Sequence, residues 1–219
     1  MDSWNNGATK PKVFDALAGV VKAVANGRRL ELVELLAQGE HSVEALARMA
    51  GMGMTTASAH LQTLKAAGLV STRRQRTTVF YRLAGDDVAE LFLAAKRVGL
   101  TRSPALRESV ATYLGDASNA PTIDPAAVTE NMAVLDVRPR EEFTAGHFPG
   151  ALSVPLDELE ERFDEVPSDR QVVVYCRGEF CRMARQAAAR LRERGVDARA
   201  MDEGVMEWRV TKEVGLDVA

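Results

Sequence analysis

The stretch Val172-Val-Val-Tyr-Cys176-Arg-Gly-Glu-Phe-Cys181-Arg-Met183 holds both cysteines of this 219-residue chain. Four β-favouring residues, Val172 to Tyr175, run straight into Cys176, and a helix-like segment, Arg182 to Arg194, comes next. A short apolar run without alternation reads as a strand buried on both faces of a sheet. A thiol between such a strand and a helix start faces unpaired backbone N–H groups and the positive end of the helix dipole. Both favour thiolate, the reactive form of cysteine. The expectation is an activated Cys176, with any thiol chemistry of the chain confined to this loop.

Outward from the loop, further strands are expected at Ala133 to Val137, Leu152 to Val154 and Ala198 to Met201, with helices over Leu156 to Phe163 and Arg182 to Arg194. Apolar strands alternating with helices predict a parallel α/β sheet covered on both faces. Upstream, Gly115-Asp-Ala-Ser-Asn-Ala-Pro-Thr-Ile-Asp-Pro125 is rich in turn formers and poor in large apolar residues. It sets a linker at 116–125 between domains at 1–115 and 126–219.

The first domain reads as mainly helical: Val13 to Ala25, Arg28 to Ala37, a third helix capped by Ser42, and a fourth from Thr55 or its neighbour to Gly68. Leu69 to Leu83 then forms two short strands around a basic tip, and helices run from Asp87 to Gly99 and on to Leu114. Helix, turn, helix and basic hairpin is the order of a winged helix-turn-helix. In the fourth helix Ala57, Leu61 and Leu64 recur at core spacing. Thr55, Ser58, Gln62 and Lys65 fall opposite, next to Thr56, and their side chains suit base edges and phosphates. Arg73, Arg74 and Arg76 at the hairpin tip suit a phosphate backbone or a minor groove. Such a face is also what an ordinary solvated helix shows, and tip arginines also blunt a sheet edge. His60 sits at the edge of the apolar side and is read equally as a packed residue or as a DNA contact.

Charge is divided in the same way. Residues 1–115 hold 15 Lys and Arg against 10 Asp and Glu, whereas 116–219 hold 13 against 21. Only the first half is suited to a polyanion. At 46% apolar and 27% charged residues the chain can build real cores. It has no apolar run long enough to span a membrane, and its start lacks a basic, apolar secretory signal. Two cysteines make no disulfide framework, so a reducing cytoplasm is the expected setting.

Arg28-Arg-Leu-Glu-Leu-Val-Glu-Leu-Leu36, Ser58-Ala-His-Leu-Gln-Thr-Leu-Lys-Ala-Ala-Gly-Leu-Val70 and Val79-Phe-Tyr-Arg-Leu83 resemble the ArsR/SmtB family of bacterial winged-helix repressors over about residues 10–100. The resemblance implies a homodimer, paired through its first and last helices, on double-stranded palindromic operator DNA. The family's metal sensors carry cysteines in the third helix, or acidic and histidine ligands in the last. Here the third helix reads Ala45-Leu-Ala-Arg-Met-Ala50 and the stretch from Asp87 to Gly99 has no histidine. No metal and no cofactor is expected.

In the second half, Leu135-Asp-Val-Arg-Pro-Arg-Glu-Glu-Phe-Thr-Ala-Gly-His-Phe-Pro-Gly-Ala151, Val174-Tyr-Cys-Arg-Gly178 and Glu203-Gly-Val-Met-Glu-Trp208 resemble three successive motifs of rhodanese domains. By this resemblance Cys176 accepts a sulfane sulfur and carries it as a persulfide. The backbone N–H groups of Arg177, Gly178, Glu179, Phe180, Cys181 and Arg182 would cradle the anionic group. Asp136, Arg138, His147 and Trp208 are expected to hold loops and core. The commonest rhodanese pattern has arginine five positions after the cysteine; here that position is Cys181, with Arg182 one later.

Two readings of the loop stay open. Cys181 resolves a persulfide on Cys176; or Cys176 to Arg182 is a Cys-x5-Arg loop that binds a tetrahedral oxyanion, as in cysteine phosphatases and arsenate reductases. The overall expectation is two domains, a mainly α winged helix-turn-helix and then an α/β rhodanese-like parallel sheet. The leading function is a dimeric DNA-binding repressor whose second domain senses or transfers sulfur from a persulfide, polysulfide or thiosulfate. The alternatives are a sulfurtransferase with autoregulatory DNA binding, and a rhodanese-fold arsenate reductase or phosphatase.

Overall fold

The computed structural model of the chain describes residues 9–115 and 120–218. Residues 116–119 of the expected linker lie outside the described residues. The chain divides into two compact units. One runs to Leu36 and resumes over Glu40–Val88; the other takes Ala37–Gly39 and everything from Ala89 on.

The first unit is built from α1 (Lys10–Val24), α2 (Gly27–Leu36), β1 (His41–Ser42), α3 (Val43–Met49), α4 (Met54–Ala66), β2 (Val70–Gln75) and β3 (Thr78–Leu83). Ser42 caps α3 as expected, its hydroxyl accepting from the Ala45 N–H at 3.2 Å. Leu32, Leu36, Leu46, Ala57, Leu61 and Leu64 form a common buried set, a result of their spacing along three amphipathic helices. Strand β1 is an addition to the expected elements: His41 and Ser42 pair with Tyr81 and Phe80, making a three-stranded antiparallel sheet in the order β1-β3-β2. Two residues are too few for a periodic signal, so this strand exists only through its partner.

Helix α5 (Asp86–Arg102) leads into the second unit, which continues with α6 (Pro104–Leu114), β4 (Thr122–Ile123), β5 (Ala133–Asp136), α7 (Arg140–Ala145), β6 (Leu152–Ser153), β7 (Val172–Tyr175), α8 (Met183–Glu193), β8 (Ala198–Met201) and α9 (Val205–Thr211). The five strands are all parallel, in the order β4-β8-β7-β5-β6. All four residues of β7 are fully buried. Val172, Val174 and Cys176 face the core shared with α8, whereas Val173 and Tyr175 face Met201, Val205 and Trp208 on the other side.

One expected helix is corrected. Leu156 to Phe163 forms hydrogen-bonded turns and then a short 3-10 segment, Phe163–Glu165. Glu158 of this segment accepts from Arg140 of α7 and from Arg162, which tie the turns to the neighbouring helix. Helices α7 and α9 and strand β4 add to the expected elements.

Beneath the sheet's carboxyl edge lies a buried ionic network. Arg138 and Asp136, both wholly buried, pair at 2.5 Å, and Tyr175 Oη donates to the same carboxylate at 2.5 Å. The Tyr175 oxygen in turn accepts from the Phe148 N–H, and Arg138 donates to the Gly146 carbonyl. Burial first, and then the Asp136 charge, push the Tyr175 hydroxyl far above its ordinary value, so it remains a donor. Removing one member of such a buried pair costs about 3–5 kcal/mol. This network fixes β5, β7 and the 146–148 turn together.

Candidate functional site

Cys176 stands just past the carboxyl end of β7, a central strand. Connections from β5 and β7 leave in opposite directions here, the place where open α/β sheets form ligand crevices. The loop after it turns back at once: the Cys181 N–H donates to the Gly178 carbonyl at 2.9 Å, and the Cys176 thiol donates to the Cys181 carbonyl at 3.3 Å. Both cysteines are free thiols. The Cys176 thiol thus meets the backbone of Cys181, and the two thiols influence one another's titration.

Two glycines make this curl possible. A Cβ on Gly204 would lie 2.5 Å from the Gly178 nitrogen and closer still to the Cys176 carbonyl oxygen, so only glycine lets the start of α9 approach the loop. Gly178 has φ +155°, and a Cβ there would meet the Glu207 carboxylate at 2.6 Å. Glu207 accepts from the Gly204 N–H and from Lys96 Nζ at 2.5 Å. Lys96, on α5, also pairs with Glu179 at 3.2 Å and lies over the Phe180 ring at 5.3 Å. Glu142 holds the Arg177 guanidinium through both of its oxygens, the shortest bond being 2.6 Å. Lys96, Glu142 and Glu207 are invisible as partners in the sequence, because separations of 35 to 111 residues leave no local pattern.

The Cys176 thiol is pulled in two directions. Burial first, and then the neighbouring Cys181, push the Cys176 thiol well up, outweighing the N–H groups of Ala184 and Gly178 that point at it. The lowered thiol is Cys181: the neighbouring Cys176 side chain comes first, and the N–H groups of Met183 and Arg177 and the Arg177 charge add to it. Backbone N–H groups thus act on both sulfurs, those of Gly178 and Ala184 on Cys176 and those of Arg177 and Met183 on Cys181. Arg182 is the N-cap residue of α8, and its guanidinium lies over the Tyr113 ring at 5.0 Å.

Around the loop, Asp136 and Arg138 belong to the buried network. His147 stacks on Phe143 at 3.8 Å with Nδ1 bonded to the Phe143 carbonyl, and Trp208 packs edge-on to Phe148. Among the described residues no group of three or more potential ligands could hold a metal ion.

In the first unit, α4 buries Ala57, Leu61 and Leu64 completely and presents Thr55, Thr56, Gln62 and Lys65 outward, with Ser58 and His60 half-buried. The wing orients two of these side chains: Gln62 donates to Tyr81 Oη at 2.8 Å and Lys65 to Thr72 Oγ1 at 3.1 Å. Arg74 and Arg76 are exposed at the hairpin tip, where Arg76 adopts φ 55° and its carbonyl accepts from Arg74. Arg73 is engaged differently, held by both oxygens of Glu40 and lying over Phe80.

A helix and wing with a polar outer face, joined to a sheet with a thiol loop at its carboxyl edge, define a DNA-binding regulator that carries a second, chemically equipped domain. Comparison with known proteins agrees on both halves. Residues 26–72 match the bacterial regulatory protein arsR family and residues 122–211 match the rhodanese-like domain. The chain is 44% identical over 204 residues to the HTH-type transcriptional regulator Rv0324 of Mycobacterium tuberculosis, covering 92% of this chain and 90% of that one. A sulfurtransferase of Allochromatium vinosum is 38% identical over 69 residues, 32% of this chain and 63% of its own. A homodimeric winged helix-turn-helix DNA-binding domain from Mycobacterium bovis, 48% identical, covers 48% of this chain and 95% of its own with a TM-score of 0.43. The chain belongs to the ArsR family of transcriptional regulators, in the form that carries a C-terminal rhodanese-like domain.

The two thiols differ in a way alkylation can read. A lowered thiol is thiolate at lower pH, so iodoacetamide should label Cys181 with a midpoint below the ordinary value of about 8.5 and Cys176 only at higher pH. Cys176→Ala removes the hydrogen bond that lowers Cys181 and should raise its midpoint. Peptide mass mapping across pH checks this; labelling of Cys176 ahead of Cys181 would contradict it.

Proposed function

We propose that this regulator responds to sulfane sulfur through its two-thiol loop. The observation that carries the reading is the meeting of the two thiols in one loop, where the Cys176 thiol donates to the Cys181 carbonyl at 3.3 Å, with burial raising the Cys176 thiol and the Cys181 thiol lowered beside it. Cys176 Sγ attacks the outer sulfur of a persulfide donor, and the Cys176 proton goes to the departing donor thiolate. The new Sγ–S bond forms, the donor S–S bond breaks, and the donor leaves as a thiol once protonated. Cys181 then attacks Cys176 Sγ; a Cys176–Cys181 disulfide forms, and the added sulfur departs with its electron pair as hydrogen sulfide. The loop thereby passes from two thiols to one covalent link, the kind of local change that drives a switch. The sulfurtransferase among the relatives supports the same chemistry, and turnover with an external acceptor is the enzyme form of this reading.

The arsenate or phosphate reading is less well supported. An oxyanion needs an arginine fork over the loop; here Arg177 is bound to Glu142, and Arg182 lies over Tyr113.

For DNA binding, Thr55, Thr56, Ser58, Gln62 and Lys65 on α4 would meet the major groove, with Arg74 and Arg76 on the flanking backbone and His60 at the margin. Arg73 contributes through its pair with Glu40, by shaping the wing. A homodimer is the working assembly. Val13, Phe14, Leu17 and Val21 form an exposed apolar stripe along α1, each about half exposed or more, which a second copy would cover.

Two outcomes are expected. Brief exposure of reduced protein to glutathione persulfide adds one sulfur to the Cys176 peptide or links it to Cys181, and Cys181→Ser stops the chemistry at the Cys176 persulfide; unmodified folded protein would refute the sulfur reading. Leu17→Glu gives monomers in sedimentation and weakens operator binding by at least about tenfold, since a charge on this stripe opposes burial; an unchanged dimer would remove α1 from the interface.

A further inference from the structure

The thiol loop carries positive charge in its sequence but not as a site. Arg177 is neutralised by Glu142, whose side chain is wholly buried beneath it. Lys96, only 11% exposed, is clamped between Glu207 and Glu179. Burial alone would lower its ammonium, yet Glu207 and then Glu179 hold it above its ordinary range, so it stays charged and paired. Taken as formal charges, Arg177, Arg182 and Lys96 balance Glu142, Glu179 and Glu207, before any charge on Cys181 is counted. Several of the loop's backbone donors are also in use. The N–H groups of Arg177 and Met183 point at the Cys181 sulfur, and the Cys181 N–H is bonded to the Gly178 carbonyl.

We propose that this loop is built for sulfur donors of low charge, alkyl persulfides and hydropolysulfides, and against the dianion thiosulfate, with Glu179 as the specificity-determining residue and Lys96 as the residue that positions it. This rests on the sulfur reading above and narrows its substrate class. A dianion entering the loop loses hydration and meets no net positive charge to replace it, since Arg177 and Lys96 are held by carboxylates and Arg182 lies over Tyr113. It also approaches Glu179, the loop's own carboxylate, whose side chain is 41% exposed. A persulfide brings at most one negative charge, on the sulfur that is transferred. The step is the same for both donors in bonds formed and broken: Cys176 Sγ bonds to the outer sulfur, the donor bond to that sulfur breaks, and the electron pair leaves on a thiolate in one case and on sulfite in the other.

The test compares, on full-length protein, the rates at which thiosulfate and the persulfide of 2-mercaptoethanol, whose only charge is on the transferred sulfur, load sulfur on the loop, read by intact mass. The quantity read is the ratio of the two rates in each variant divided by the same ratio in the wild type, which cancels the donors' intrinsic reactivities. Glu179→Lys is expected to raise the thiosulfate-to-persulfide ratio about tenfold at low salt, and Glu179→Gln to raise it less, with both effects shrinking as salt screens the charge. Lys96→Met leaves two carboxylates unpaired beside the loop and should lower the ratio. A ratio unmoved by all three substitutions, or wild-type protein loaded by thiosulfate as fast as by persulfide, would overturn the specificity while leaving the sulfur reading intact. Absence of loading from either donor would overturn both.

Discussion

Burial of the central strand Val172–Tyr175 on both faces organises the whole second unit. Its alternating side chains tie two cores into one sheet. Each fully buried valine contributes about 1.5–3 kcal/mol relative to exposure. The same alternation fixes where the chain delivers Cys176: onto the α8 side, in line with Val172 and Val174. A one-residue slip would exchange the two faces, putting Cys176 against Trp208 and Tyr175 in the other core. The reactive sulfur is therefore placed by hydrophobic register, and the Asp136–Arg138–Tyr175 network locks that register against the neighbouring strand.

Placed this deep, the site is one in which desolvation outweighs activation. Cys176 receives backbone N–H groups, as its position at a strand-to-helix junction requires, yet the core around it raises its thiol. Cys181 reverses the balance for the pair. It is half-buried, and the neighbouring Cys176 side chain and two backbone N–H groups lower its thiol. In the proposed reading one residue would be the protected sulfur carrier and the other the resolving thiol. Such a division suits a sensor better than a fast enzyme, because the resting state is stable and the response needs one event.

Much of this is legible in the sequence where the information is local. Helical spacing in α4, the Ser42 cap, the four-residue run of β7 and the motifs around Asp136, Cys176 and Trp208 each carry their meaning within a few residues. Legibility fails where structure is supplied by a distant partner. Strand β1 exists only because His41 and Ser42 meet β3. The segment from Leu156 shows apolar helical spacing but forms turns, tied to α7 through Glu158 and the distant Arg140. The order of the two thiols is hidden for a different reason: the sequence shows a helix start but not the depth of burial. The pairing of Lys96 with Glu179 and Glu207 brings together residues more than 80 positions apart, which no local rule anticipates.

If the two-thiol loop is a sensor, sulfur chemistry there changes what the winged helix does. The direct measurement is an operator-binding titration of wild-type and Cys176→Ser protein at one fixed salt concentration, before and after exposure to glutathione persulfide, with reversal by a thiol reductant. Sensing predicts that both proteins bind operator equally when reduced, and that persulfide shifts the wild-type affinity at least about tenfold, a coupling of about 1.4 kcal/mol, and leaves the variant unmoved. An equal shift in both proteins, or none in the wild type once its Cys176 is shown to be sulfurated, would contradict it.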